Sequence, residues 1–384
     1  MIGTATMAHF DVVVCGLGVT GAAALHALAS RGVRALAIER FAPGHERGSS
    51  HGETRVIRLG YFEHPSYVPL VRHAYAKWHE IEKAAAVRLL HVTGTLEVGP
   101  LASTLIAGTW ASICQHGLPF ELLGAGEVMQ QFPAFRIPAE YVGVLQPQGG
   151  YLRAEASVAA LFRLAQQNAA EIRLGETVRE IAPTAGGVRV TTDHGTVEAG
   201  SAIVAAGAFV KTLLPQLAAV LRVTRQAMAW FEPLDPSLFS DGRLPVFLVE
   251  SRHGIHYGFP PQAGLIKIAK HHHADETVDP ETYDTVVNAN DEALIRAALA
   301  EHLPAANGRM IRAKTCLYTK TPDGDFILDR LPGAPQIVVA SPCSGHGFKF
   351  APAIGEALAE LVTTGATAHD ISRFALSRFA APLT

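Results

Sequence analysis

Residues Gly16-Leu17-Gly18-Val19-Thr20-Gly21 match a GxGxxG pattern, with an apolar run over 10–14 before them and an Ala/Leu-rich stretch after them, closed by Gly32. Glycines placed between a strand and a helix permit a tight turn and let a pyrophosphate reach backbone N–H groups at the helix N-terminus. Glu39 closes the next apolar run, over 35–38, about twenty residues on, where a carboxylate accepts from a ribose hydroxyl. A tight turn that binds nothing is the bland alternative, and it leaves Glu39 unexplained. The pattern by itself does not separate FAD from NAD.

Other residues with chemical potential lie far along the chain. Cys316 and Tyr318 share one face of an alternating run and Leu317 takes the other, so thiol and phenol can face one ligand. An isolated cysteine is more often a small buried hydrophobe. Leu265, Lys267, Ala269 and His271 also alternate onto one face, spreading ammonium and imidazole along roughly 13 Å of strand; a solvated strand lysine fits the pattern equally well. Arg55 and Arg58, three apart, are expected on one side of a helical turn, and guanidinium groups suit planar anions such as a carboxylate. A surface ion pair is the commoner fate of an arginine. Lys349 follows Gly345-His346-Gly347, a stretch whose N–H groups can face an electron-rich ring. His271-His272-His273 with Asp275 can be written as metal ligands, but no other segment completes the set.

The elements that must position these residues read as follows. The glycine turn sits in a βαβ unit, whose right-handed crossover makes its strands parallel. An amphipathic helix begins near 66, with Val71, Ala74, Tyr75, Trp78 and Ile81 at helical spacing. Helices are also expected over 101–116, 155–169, 290–302 and from 351, with strands over 202–206, 326–329 and 337–340. Long alternation between 220 and 320 predicts an antiparallel sheet with one covered face. An NAD enzyme continues with further βα units, whereas this sheet supplies the wall that a flavin ring needs. The expected fold is α/β: a Rossmann-like FAD-binding domain (1–82, 146–219 and 320–384) with an interleaved antiparallel-sheet substrate domain (83–145 and 220–319).

Composition agrees with a two-part globular chain: 384 residues, 48% hydrophobic and 17% charged, exceed one core. A net charge of −3 gives no average attraction to nucleic acid or anionic membranes, so a small-molecule partner is expected. Cys15, Cys114, Cys316 and Cys343 show no CxxC spacing, which suits a reduced cytoplasmic setting. No apolar run reaches the roughly 18 residues of a membrane span, and no secretory leader pattern opens the chain. Residues 1–6 read as an extension before Met7.

Four strings in order after the dinucleotide motif carry a family resemblance: Ser50-His51-Gly52-Glu53-Thr54-Arg55-Val56-Ile57-Arg58, Tyr257-Gly258-Phe259-Pro260, Cys316-Leu317-Tyr318-Thr319-Lys320-Thr321 and Gly345-His346-Gly347-Phe348-Lys349-Phe350. Together they resemble the monomeric sarcosine oxidase and N-methyltryptophan oxidase family along nearly the whole chain. The resemblance implies FAD held by Gly16, Gly18, Gly21, Glu39, Arg40, Ser50, His51, Thr54, Val178, Gly207, Gly345, Gly347 and Lys349, and joined through a thioether to Cys316. It implies catalytic roles for Lys267, His271, Arg55 and Tyr318, with Lys267 promoting reoxidation by O2 and Arg55 tuning the flavin's field. Arg58 and Lys349 would clamp a substrate carboxylate, with His346 and Tyr257 beside it. One departure is Pro342-Cys343, where relatives carry Gly-Phe, so a second thiol enters the flavin region. The expected activity is oxidation of a secondary N-methyl amino acid such as sarcosine to an imine, hydrolysed to amine and aldehyde while O2 becomes H2O2, by a monomer. Cyclic or bulkier secondary amino acids (pipecolate, proline, N-methyltryptophan) are the alternative substrates. A flavin monooxygenase and a flavin-binding sensor or subunit are the other classes.

Overall fold

The computed structural model describes residues 9–240 and 242–379, so the extension expected over 1–6 lies outside the described residues. One sheet runs in the order Val178–Thr184, Gly187–Thr192, Gly195–Val204, His9–Cys15, Ala35–Glu39, Glu171–Leu174. His9–Cys15 lies parallel to both Gly195–Val204 and Ala35–Glu39. Ala334–Ser341 adds parallel to Gly195–Val204, and Ile327–Leu331 pairs antiparallel with it. Val12, Val13 and Val14 are buried on both faces, as continuous apolar runs in covered parallel strands must be.

The helices Val19–Ala29, Ala154–Gln167 and Ala351–Thr364 cover one face of this sheet. Small residues let them approach closely: a Cβ at Gly355 would meet the Ala23 backbone at 2.5 Å. The amphipathic helix Tyr67–Ala85 packs outside them with Val71, Ala74, Trp78 and Ile81 inward. Trp78 is fully buried, and truncating such a residue to alanine costs about 3–5 kcal/mol.

A second sheet is ordered Met310–Lys320, Arg222–Phe231, Ile266–Lys270, Gly254–Gly258, Val246–Ser251, Thr95–Pro100, Tyr141–Gln146, Glu121–Gly124. It is antiparallel except where Val246–Ser251 runs parallel to Thr95–Pro100. The helix Ala289–His302 covers its outer face through Ile295 and Leu299. A small third sheet pairs Thr54–Ile57 and Leu90–Val92 with Gly150–Arg153.

That third sheet corrects one expectation. Arg55 lies on a strand, paired opposite Leu152, and not on a helical turn with Arg58. The β-branched Thr54, Val56 and Ile57 favour the extended backbone, and pairing with Gly150–Arg153 satisfies its hydrogen bonds. Arg58 stands just past the strand end.

Candidate active site

At the carboxyl ends of the parallel strands the glycine turn closes tightly. Gly16 has φ +96°, and a Cβ at Gly21 would lie 1.8 Å from the Gly16 carbonyl oxygen. Only glycine permits this approach of helix to strand. The turn leaves the first N–H groups of the helix Val19–Ala29 facing a cavity of about 430 Å³, within the range of small-molecule sites. Glu39 lines the cavity beside the turn, its two carboxylate oxygens accepting from Leu17 N (2.7 Å) and Phe41 N (2.9 Å). Ser50 Oγ accepts from Val19 N at 3.0 Å.

The same cavity is lined by Arg40, Val178, Gly207, Arg55, Cys316, Gly345 and Gly347, and also by Arg58, Tyr257, His271, Tyr318, His346 and Lys349. Of the residues expected from sequence, Gly21, His51, Thr54 and Lys267 do not line it. Gly21 makes the turn. His51 is buried beside the wall with both ring nitrogens unpartnered, and burial with Arg55 nearby lowers it to about 4. Lys267 stands behind the wall, donating to Gly52 O (2.5 Å), Thr54 O (2.9 Å) and Thr54 Oγ1 (3.2 Å). Burial, then Arg55, pushes its ammonium well below the usual lysine range.

Cys316 and Tyr318 face the cavity while Leu317 packs on the opposite side with Val223 and Ala208. Burial raises the Cys316 thiol, against the pull of Arg55 and Lys267 toward the thiolate. Arg55 is fixed by Thr54 O (2.9 Å), Ser49 O (2.8 Å) and His51 O, and lies over the Phe348 ring. Cys343 also lines the cavity, accepting from Thr319 N at 3.4 Å.

Part of the lining is a buried charge cluster. Arg58 donates to Gly60 O (2.7 Å) and Glu63 Oε2 (3.0 Å), lies 3.5 Å from Glu97 Oε1, and sits over the rings of Tyr61 and Phe62. Lys349 Nζ donates to His346 O at 2.8 Å. Burial, reinforced by Arg58, lowers its ammonium to about 7, with Glu63 opposing. Burial also keeps His271 and His346 neutral near pH 7, His346 at about 4. Glu63 is held below the usual carboxylate range by Arg58 although burial opposes it, whereas burial raises Glu97 to about 7.

Glu63, Glu97, Tyr61 and Phe62 were not expected in this role. A charge inside an otherwise apolar strand, as in Thr95-Leu96-Glu97-Val98, was the available signal. The histidine run does not form a ligand set among the described residues: His271 faces Tyr318, while His273 Nε2 pairs with Asp291 Oδ1 at 2.8 Å.

Residues 11–361 match the sequence profile of the FAD dependent oxidoreductase family. The chain belongs to that family. It is 36% identical over 375 residues to a monomeric sarcosine oxidase of Bacillus sp. (strain B-0618), covering 96% of both chains. It is 35% identical over 373 residues to an N-methyl-L-tryptophan oxidase of Yersinia pestis (strain Pestoides F), covering 96% of this chain and 99% of the relative. Among solved structures, NikD, an unusual amino acid oxidase essential for nikkomycin biosynthesis, superposes with a TM-score of 0.84 at 30% identity, covering 96% and 97% of the two chains. The chain is thus an FAD-dependent oxidoreductase, and the cavity fits the cofactor: its lining holds a glycine turn closed to any Cβ, a carboxylate at the neighbouring strand end, and buried basic side chains. No helix among the described residues is long and apolar enough to cross a membrane.

Proposed function

We propose that this oxidoreductase oxidises the C–N bond of a small secondary amino acid, of which an N-methyl amino acid such as sarcosine is the simplest. The observation that carries the reading is that Arg58 and Lys349, two buried basic side chains, both line the cavity. Arg58 is already met by Glu63, whereas Lys349 is bonded, among the described residues, only to the His346 carbonyl and the Tyr61 hydroxyl, and a buried cation costs free energy unless an anion meets it. A substrate carboxylate entering beside Lys349 favours its charged form, so binding and protonation reinforce each other. Bound FAD supplies acceptance of a hydride equivalent from the carbon beside nitrogen and passes electrons to O2.

The remaining residues bind and orient. Neutral His271 accepts a hydrogen bond, or a proton, from the substrate amine, leaving the nitrogen lone pair free for oxidation. Tyr257 and Tyr318 adjoin, and burial raises both phenols, so they stay neutral donors at one wall. Arg55, locked by three carbonyls, is a fixed positive charge, and Cys316 beside it is the point of thioether attachment. Lys267, behind the wall, would favour reoxidation of bound FAD by O2, its protonated form stabilising the negative charge that O2 acquires. The FAD-binding domain is assigned to residues 1–82, 146–219 and 320–384, and the substrate domain to 83–145 with 220–319. The protein acts as a monomer in the cytoplasm.

A panel of amines assayed for peroxide tests the reading. Turnover with sarcosine or other N-methyl amino acids, and none with the corresponding decarboxylated amines, is expected. Turnover confined to amines without a carboxylate overturns the assignment of Arg58 and Lys349, while preference for pipecolate or proline selects the cyclic substrates.

A further inference from the structure

Away from the cavity, three side chains from three separate segments meet on the outer surface of the FAD-binding layer. His73 stands on the helix Tyr67–Ala85, Glu356 on Ala351–Thr364, and His369 on the segment that follows. His73 Nε2 lies 2.5 Å from Glu356 Oε2 and His369 Nε2 lies 3.7 Å from the same oxygen. All three candidate ligand atoms fall within 4.8 Å of one another, and the two rings are 4.6 Å apart. None lines the cavity. We propose that His73, Glu356 and His369 bind one divalent transition-metal ion of the zinc type, with water completing the coordination.

The surroundings prepare such a site. Gly365, at φ +88°, ends the helix, and Glu360 then draws the chain back, its Oε2 accepting from Thr367 Oγ1 (2.6 Å) and Ala368 N (3.2 Å). His369 is thereby returned over Glu356, one helical turn before Glu360. Glu356 Oε1 is held by Arg31 (3.1 Å) and Lys77 (3.6 Å). Oε2 is the oxygen turned to both imidazoles, and such outer partners orient a ligating carboxylate. Each cation also has a carboxylate of its own, Arg31 with Glu360 (3.5 Å) and Lys77 with Glu80 (3.1 Å). The charge of Glu356 is therefore available to an ion.

Tetrahedral zinc with N and O ligands at about 2.0–2.1 Å places them roughly 3.3 Å apart, so closure needs side-chain movements of about 1 Å. Two imidazoles and one carboxylate select zinc, nickel or cobalt over calcium or magnesium, which take oxygen ligands. The side chains are partly exposed, at 36% for His73, 18% for Glu356 and 15% for His369, which leaves room for water. The ion would tie the C-terminal segment to two helices that flank the active site: Trp78 Nε1, on the first, donates to Lys349 O at 2.8 Å, and the second begins just after Lys349.

The test is calorimetric titration of chelator-stripped holoenzyme with zinc chloride, with the melting temperature read in parallel. One saturable site per chain and a rise in melting temperature with zinc, but not with calcium, are expected. The double variant His73→Gln/His369→Gln keeps amide donors toward Glu356, and its unliganded melting temperature reports whether it folds as the wild type does. It should lose zinc affinity by about a hundredfold or more, while His79→Gln, at the neighbouring His79–Glu82 pair, should not. Binding that survives in the folded double variant, or no saturable zinc binding by about 1 mM, overturns the proposal. If the double variant does not fold, His369→Gln alone decides: unchanged affinity overturns the proposal and weakened affinity supports it.

Discussion

Replacing Lys349 with methionine separates the two opposing consequences of burying a cation. Its ammonium is lowered from an ordinary 10.5 to about 7, an upper bound of about 5 kcal/mol against the charged form at about 1.4 kcal/mol per tenfold change. The folded state holds fewer protons than the unfolded state between pH 7 and 10.5, so this penalty is full below pH 7 and fades as pH rises to 10.5. Lys349→Met removes it but also removes the hydrogen bond to His346 O, worth about 1–3 kcal/mol. The variant should be as stable as the wild type or more so at pH 6, and less stable near pH 10, in urea unfolding. Binding should move the other way. A charge-assisted hydrogen bond to a carboxylate contributes about 1.5–3 kcal/mol, so the Kd for methoxyacetate, the oxygen isostere of sarcosine, should rise about 10- to 150-fold at pH 6.5. Wild-type affinity, followed by the flavin absorbance change, should weaken above pH 7 by up to about tenfold per pH unit, and the variant should lack that inflection. Equal affinity of the two proteins at pH 6.5, or the same fall above pH 7 in both, would refute the reasoning.

Other residues give independent readouts. Cys316→Ala should release its yellow colour into the supernatant on acid precipitation, whereas wild type and Cys343→Ala should keep it in the pellet; colour lost from Cys343→Ala instead would move the attachment. Lys267→Met should slow reoxidation by O2 far more than reduction by substrate, and equal slowing of both half-reactions in stopped flow contradicts the assigned role. Glu39→Gln should weaken FAD retention by about 10- to 150-fold through loss of a charged acceptor, measured by refilling apoprotein made in the Cys316→Ala background; unchanged retention removes Glu39 from the ribose.

The parts of the fold carried by short-range rules were legible in the sequence. GxGxxG with Glu39 fixed the βα turn, and period-two alternation put Cys316 and Tyr318 on one face and Leu317 on the other. Arg55 and Arg58 misled because a three-residue interval suits a helical turn, and only pairing with Gly150–Arg153, nearly a hundred positions away, makes the segment a strand. Lys267 illustrates a different limit. Alternation gave its face, but its contacts with Gly52 and Thr54 arise where two sheets meet. Glu97 escapes sequence reading because its partner across the fold, Arg58, leaves no local trace, and Glu63, close to Arg58 in sequence, because it lies in an irregular segment with no period to read. Position 97 was still readable as a charge where an apolar residue belongs, and such exceptions mark sites.

The central claim is that bound FAD is reduced by an amino acid whose carboxylate meets Arg58 and Lys349. Anaerobic titration of the yellow holoenzyme with sarcosine, other N-methyl amino acids and NADPH tests it most directly. Bleaching of the flavin by an N-methyl amino acid, none by NADPH and full return of colour on admitting air is the predicted result. A flavin that every amino acid leaves oxidised, or that NADPH alone bleaches, would contradict it.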